Sequence, residues 1–164
     1  RPLLLEAIAM LQRDPANAAL DVRADGPSVT LTADAELVRA AVLNLLINAA
    51  QAMGGQGRIT LALLQHDQHC VVEIRDGGPG IPVDLREQVF EPFYTTKARG
   101  GGLGLAIARR TAELQGGTLT LACPPTGGCV FRMTLPLRAH GLPDEHDSPL
   151  EDGISRSGTA PGRD

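Results

Sequence analysis

The chain is 164 residues long, 43% apolar and 21% charged, with a net charge of −4. That composition describes one soluble globular unit long enough to bury a core. It excludes a broad basic surface for nucleic acid. With no Trp, one Tyr and three Phe, it also excludes a base-stacking platform for single strands. There is no run of about 18 apolar residues, so no membrane-spanning helix is expected. The chain does not open on a charged start, an apolar stretch and a small-residue cleavage site, so no signal peptide is expected. The first residues, Arg1-Pro2-Leu3, lack Met, and a piece of a longer protein is expected.

In chain order, Leu3–Gln12 reads as a short helix with Leu4, Ile8 and Leu11 on one side. Ala18–Val22 and Ser28–Thr32 read as strands around the turn Asp25-Gly26-Pro27. A long helix is expected from Asp34, as N-cap, to Met53, stopped by Gly54-Gly55. Arg58–Leu64 and Cys70–Arg75 are strands joined by a polar turn, 65–69. A glycine-rich stretch, Asp76–Pro82, leads to a short helix near Asp84–Val89. Gly100–Gly104 opens another helix, which runs to about Gln115 and ends at Gly116-Gly117. Thr118–Cys123 and Cys129–Leu135 close the fold as a hairpin. Mixed helices and strands with late antiparallel hairpins predict an α/β two-layer sandwich, one mostly antiparallel sheet covered by helices on one face.

Charge divides the chain. Residues 1–138 carry 13 basic and 13 acidic side chains, and residues 139–164 carry two bases and six acids. The latter stretch is rich in Pro, Gly, Ser and Asp and reads as a disordered acidic tail, with a tether to another domain as the alternative. Cys70, Cys123 and Cys129 are odd in number and lack CxxC spacing, which disfavours zinc and a disulfide framework. Small apolar fillers are the expectation, although Cys123 and Cys129 can face each other across the last hairpin.

Four segments carry chemistry. In the long helix, 40–50 reads AAVLNLLINAA, with Asn44 and Asn48 as its polar residues. Such a helix is expected to be buried nearly all round. The two carboxamides, four apart, share one face. A buried unpartnered amide costs about 1–3 kcal/mol. They therefore bond to backbone or turn their oxygens to a hard cation such as Mg²⁺. Asp76-Gly77-Gly78-Pro79-Gly80-Ile81-Pro82 follows a strand. Its carboxylate suits an exocyclic amine, and its glycines admit a flat ring; an ordinary turn is the other reading. Gly100-Gly101-Gly102-Leu103-Gly104 precedes a helix and fits an anion at a helix N-terminus, with Lys97 and Arg99 in reach; a flexible loop is the alternative. The context matches neither a P-loop nor a Rossmann turn. Phe90 and Phe93, three apart within 90–97 (FEPFYTTK), read either as simple core packing or as the anchor of one end of a loop that closes over a bound nucleotide.

The order NLLINA, DGGPGIP, FEPFYTTK, GGGLGLAIA resembles the N, G1, F and G2 boxes of the ATP-binding catalytic domain of sensor histidine kinases, across about residues 3–137. The FYTTK form is similar to the nitrogen-regulatory branch. The resemblance implies the Bergerat sandwich shared with gyrase, heat-shock chaperone and mismatch-repair ATPases, with ATP and Mg²⁺ as cofactors. It implies Asn48 as principal Mg²⁺ ligand with Asn44 beside it, and Asp76 on the adenine amine. It places Gly78, Gly80 and Ile81 around adenine, and Thr96, Lys97, Gly100, Gly102, Leu103, Gly104 and Leu105 in the lid and phosphate region. The sequence departs from the family at Gln51, where many relatives carry a basic residue, at Gly77 in place of Asn, and at Gly101 in place of Ser or Thr.

Related ATPases carry Glu where Asn44 stands, and Asn cannot serve as a base. The resemblance therefore implies a kinase that presents the γ-phosphate to a histidine on a separate dimerisation hairpin, and a response-regulator receiver domain as downstream partner. His66 and His69 fall in a predicted turn, and His140 and His146 in the tail. None has the context of a phospho-acceptor, so the fragment is expected to bind ATP without phosphorylating itself. The alternatives are a non-catalytic nucleotide-binding regulatory module and an anti-sigma-type serine kinase. A cytoplasmic location, no nucleic acid and no membrane contact complete the expectations.

Overall fold

A computed structural model describes residues 1–95 and 101–138. Helix α1 spans Pro2–Gln12, α2 Ala35–Ala52 and α3 Gly104–Leu114. The strands are β1 (Ala19–Asp25), β2 (Gln56–His66), β3 (His69–Asp76), β4 (Thr118–Ala122) and β5 (Val130–Pro136). They form one sheet in the order β1-β2-β3-β5-β4. β1 and β2 run parallel, with the α2 crossover between them, and every other pair is antiparallel.

Alternation along the strands sorts the two faces of the sheet. Ile59, Leu61 and Leu63 of β2, Cys70, Val72 and Ile74 of β3, and Phe131, Met133 and Leu135 of β5 are buried. The alternate positions include charged residues that form ion pairs on the other face: Arg58–Asp21 at 2.8 Å and Arg132–Glu73 at 2.8 Å. Only one face therefore needs helical cover. The cover comes from Leu4, Ala7, Ile8 and Leu11 of α1, Val38, Ala41, Val42, Leu45, Leu46, Ala49 and Ala50 of α2, and Ala108 and Ala112 of α3. This is the expected two-layer α/β sandwich.

Asp34 caps α2, its Oδ1 accepting from the amides of Glu36 and Leu37 at 3.0 Å. At the other end the Gly55 amide bonds back to the Ala50 carbonyl at 2.9 Å, and the helix stops at the expected glycines.

Three expectations need correction. Ser28–Thr32 is not a strand. Val29 and Leu31 do pack on the core, which explains the alternating pattern, but Thr32 donates to the Leu137 carbonyl and no ladder forms. Asp84–Val89 is not an α-helix but two 3₁₀ turns, Val83–Leu85 and Gln88–Phe90. A segment this short has little helical stability of its own. Its shape is set by Phe90, which sits edge-on to Phe131 at 6.4 Å under the Arg109 guanidinium. Helix α2 is not buried all round: Ile47 is 37% exposed, and Asn44 and Asn48 are half-buried on a face that leaves the sheet. The turn between β2 and β3 shrinks to Asp67-Gln68, with His66 and His69 paired at the strand ends. The acidic stretch 139–164 lies outside the described residues. Among the described residues no helix is long and apolar enough to cross a membrane.

Leu45 has no exposed surface, whereas Leu64, on the other face of the sheet, is 47% exposed. Leu45→Ala is expected to cost about 2–5 kcal/mol of unfolding free energy and Leu64→Ala within about 0.5 kcal/mol. Urea unfolding checks this, and equal losses would contradict the assignment of faces.

Candidate functional site

The packing of α2 sets the site. Val42, Leu45, Leu46 and Ala49 have no exposed surface against the sheet. The opposite stripe of the same helix, Asn44, Ile47, Asn48 and Gln51, lines a cleft. The spacing of three and four makes this one face. Both asparagines therefore leave the core and present carboxamides to a concave surface.

A second wall begins at the end of β3. Asp76 is only 6% exposed. Its Oδ1 accepts from the Gly78 amide at 2.9 Å and the Cys129 amide at 3.2 Å, and its own amide donates to the Cys129 carbonyl at 3.0 Å. A buried carboxylate held by backbone donors is an oriented acceptor. Gly78 lies behind it. A Cβ there would stand 3.0 Å from Asp76 Oδ1 and 3.3 Å from Ala52 Cβ, so a side chain would fit only if these neighbours gave by a few tenths of an ångström.

The third wall is the start of α3. Gly102 has φ +63°, and a Cβ there would fall 2.6 Å from the Phe93 carbonyl carbon and the Tyr94 oxygen. Glycine is therefore required where this loop crosses 93–94, and the crossing is fixed by the Phe93 amide donating to the Gly102 carbonyl at 3.0 Å. Leu103 N-caps α3 with no side-chain cap. A Cβ on Gly104, the first helical residue, would lie 3.5 Å from Asn44 Oδ1. The amide-rich end of a helix thus meets the Asn44 carboxamide.

Together these walls enclose a cleft of about 610 Å³, a size that takes a nucleotide-scale ligand. Of the expected residues, Asn44, Asn48, Asp76, Gly80, Ile81, Gly102, Leu103, Gly104 and Leu105 line it. Gly78 is set back behind Asp76. Thr96, Lys97 and Gly100 lie outside the described residues. Ile47, Ala52, Pro79, Leu85, Val89, Tyr94 and Cys129 also line the cleft and were not foreseen. Ile47 was readable from its position three after Asn44, and Cys129 from the hairpin register; Leu85 and Val89 were concealed by the misread helix.

The donor set is informative about a metal. Among the described residues no group of three His, Cys, Asp or Glu side chains is placed to hold one. The Asn44 carboxamide stands beside the α3 terminus, and Asn48 lines the same cleft one turn along α2. Such a set suits a hard cation that keeps water and takes its remaining ligands from a bound phosphate chain.

Residues 33–139 match the family described as histidine kinase-, DNA gyrase B-, and HSP90-like ATPase. The chain is 35% identical over 142 residues to the signal transduction histidine-protein kinase AtoS of Escherichia coli, covering 85% of this chain and 23% of that protein. It is 38% identical over 117 residues to the nitrogen regulation protein NtrY of Azorhizobium caulinodans, covering 66% of this chain and 15% of that protein. The chain thus spans less than a quarter of the length of these relatives. Among solved structures it resembles the mycobacterial sensor histidine kinase MprB with a TM-score of 0.73 at 31% identity, covering 84% of this chain and 94% of that one. The chain belongs to the histidine kinase-, gyrase B- and HSP90-like ATPases, and within them it is an ATP-binding catalytic domain of the sensor histidine kinase type.

Proposed function

We propose that the cleft holds Mg²⁺-ATP with the adenine at Asp76 and the triphosphate between α2 and the start of α3, and that it presents the γ-phosphate to a histidine supplied from outside these residues. The observation that carries this reading is the meeting of the Asn44 carboxamide with the α3 N-terminus at Gly104, opposite the buried, backbone-held carboxylate of Asp76. One end of the cleft suits anions and a cation; the other suits an amine on an apolar ring.

Each residue has its part. Asp76, oriented by the Gly78 and Cys129 amides, accepts the exocyclic amine. Ile81, Leu85 and Val89 supply apolar area for the ring, and Gly80 lets it approach. Asn48, with Asn44 beside it, holds the metal, which screens the triphosphate charge when bound. The α3 amides after Gly102 and Leu103 hold phosphate oxygens, with Leu105 closing the wall behind them. Thr96, Lys97 and Gly100, outside the described residues, are assigned to the phosphate end by the family resemblance alone. Because Asn44 has no basic lone pair for water, the domain positions and neutralises rather than hydrolyses.

The acceptor histidine belongs to a dimerisation hairpin of the same protein, and the phosphoryl group passes onward to a receiver domain. His66 and His69 are exposed at the β2–β3 turn, away from the cleft, and suit neither role. We place the domain boundary at residue 138, leaving 139–164 as an acidic tail or linker, and the reaction in the cytoplasm. A purely regulatory nucleotide-binding module is the second reading. It would bind nucleotide as well but transfer nothing to a supplied hairpin domain; labelled phosphate appearing on that hairpin's histidine, and none on this chain alone, decides for the kinase.

Asn48→Ala is expected to remove the magnesium-dependent part of nucleotide affinity, a loss of roughly tenfold or more. Calorimetric titration with an ATP analogue, with and without Mg²⁺, reads it, and an unchanged magnesium dependence would contradict the metal assignment. Asp76→Asn keeps an oxygen for the two amides but loses the charge. It is expected to lower ATP affinity by about tenfold, the scale of one charge-assisted hydrogen bond, and to erode discrimination against GTP. Retained discrimination would refute the adenine assignment.

A further inference from the structure

Two thiols stand at the adenine-side wall. The β4–β5 register ends at Ala122↔Val130, so the next opposed positions are Cys123 and Cys129. Their Sγ atoms lie 2.6 Å apart, and both are free cysteines. Opposed positions on antiparallel strands have the side-chain separation a disulfide needs. The five intervening residues, Pro-Pro-Thr-Gly-Gly, include Gly127 and Gly128 at positive φ and make a tight connection that holds the pair in register.

The pair is tied to the cleft through the backbone of both cysteines. Cys129 lines it and brackets Asp76 through its amide and carbonyl. The Gly128 amide donates to the Gly78 carbonyl at 2.8 Å. The Arg86 guanidinium donates to the Cys123 carbonyl at 3.3 Å and to the Ile81 carbonyl at 3.0 Å. The 123–129 turn is thus the buttress of the 76–81 loop. Cys129 is 4% exposed and Cys123 is half-buried, so a reagent meets Cys123 first.

We propose that Cys123 and Cys129 are a redox modification site, a reversible disulfide that stiffens the adenine-side wall. A low-molecular-weight disulfide is the oxidant. The Cys123 thiolate attacks one of its sulfurs, forming a mixed disulfide and releasing one small thiolate. The Cys129 sulfur then attacks Cys123 Sγ, and the second small thiolate leaves. The two protein thiol protons end on the two released small thiols, and the two electrons lost by the cysteines are those gained by the oxidant. A wall already fixed loses less freedom when a nucleotide orders it, so the oxidised form binds nucleotide more tightly. By reciprocity, bound nucleotide favours the disulfide by the same factor. The bond is independent of the nucleotide reading; the coupling rests on it.

The chain is equilibrated with graded mixtures of reduced and oxidised glutathione. Peptide mass mapping is expected to find one intramolecular bridge, Cys123–Cys129, with the buried Cys70 remaining a thiol. Titration with an ATP analogue is expected to show affinity at least threefold higher in the oxidised form, and saturating analogue is expected to shift the oxidation midpoint by the same factor. Cys123→Ser is expected to bind as the reduced protein does and to ignore the oxidant. Absence of the bridge, a bridge to Cys70, or a bridge that leaves affinity unchanged overturns the proposal. A Cys123–Cys129 bridge in a chain that binds no nucleotide in either state upholds the modification site and refutes the nucleotide reading instead.

Discussion

Everything at the cleft depends on how α2 is rotated against the sheet. Val42, Leu45, Leu46 and Ala49 have no exposed surface. Turning the helix by one position would lift these side chains into water and press Asn44 and Asn48 into the sheet, where each unmatched amide costs about 1–3 kcal/mol. The hydrophobic face thus aims the polar face. Two carboxamides stand at a fixed place on a rigid element because greasy neighbours on the same helix leave them no other orientation, and a site built on such an element is better defined than one on a loop.

The other two walls are attached to that frame by backbone. Asp76 ends the central strand β3, and its Oδ1 is held by amides from its own loop and from the end of the β4–β5 hairpin. The loop before α3 is threaded past Phe93 and Tyr94 at Gly102, where no side chain fits. Phe90, just before that crossing, is rooted in the core against Phe131 and Arg109. Three separated segments therefore converge through a few backbone contacts, while the apolar core keeps their supports still. Such an arrangement suits a reaction in which the protein contributes position and charge and a partner contributes the nucleophile.

Much of this was legible in the sequence, and the limits are physical. Helix α2 announced itself by its cap, its apolar stripe and its terminal glycines, all of which act locally. The β2–β3 and β4–β5 hairpins were readable because alternation has period two and the turns are short. Ser28–Thr32 failed because alternating burial does not require a ladder: Val29 and Leu31 cover the core without strand pairing. The segment after Pro82 failed because Phe90, and not helical propensity, decides its course. The expectation that α2 is buried nearly all round failed because Leu43 and Ile47 look the same in sequence whether they meet the sheet or a cleft. At the site, the polar and glycine positions stood out by residue type. The apolar lining of Leu85, Val89 and Tyr94 did not, since apolar residues are the norm in any core.

The most direct measurement of the central claim is a heteronuclear NMR titration of the chain with an ATP analogue, first without and then with Mg²⁺. The account predicts that the backbone amides of Gly78 and Cys129 move with nucleotide alone, and that the side-chain amide signals of Asn44 and Asn48 move further when magnesium is added. Shifts confined to residues outside the cleft, with the α2 carboxamide signals unmoved, would contradict it.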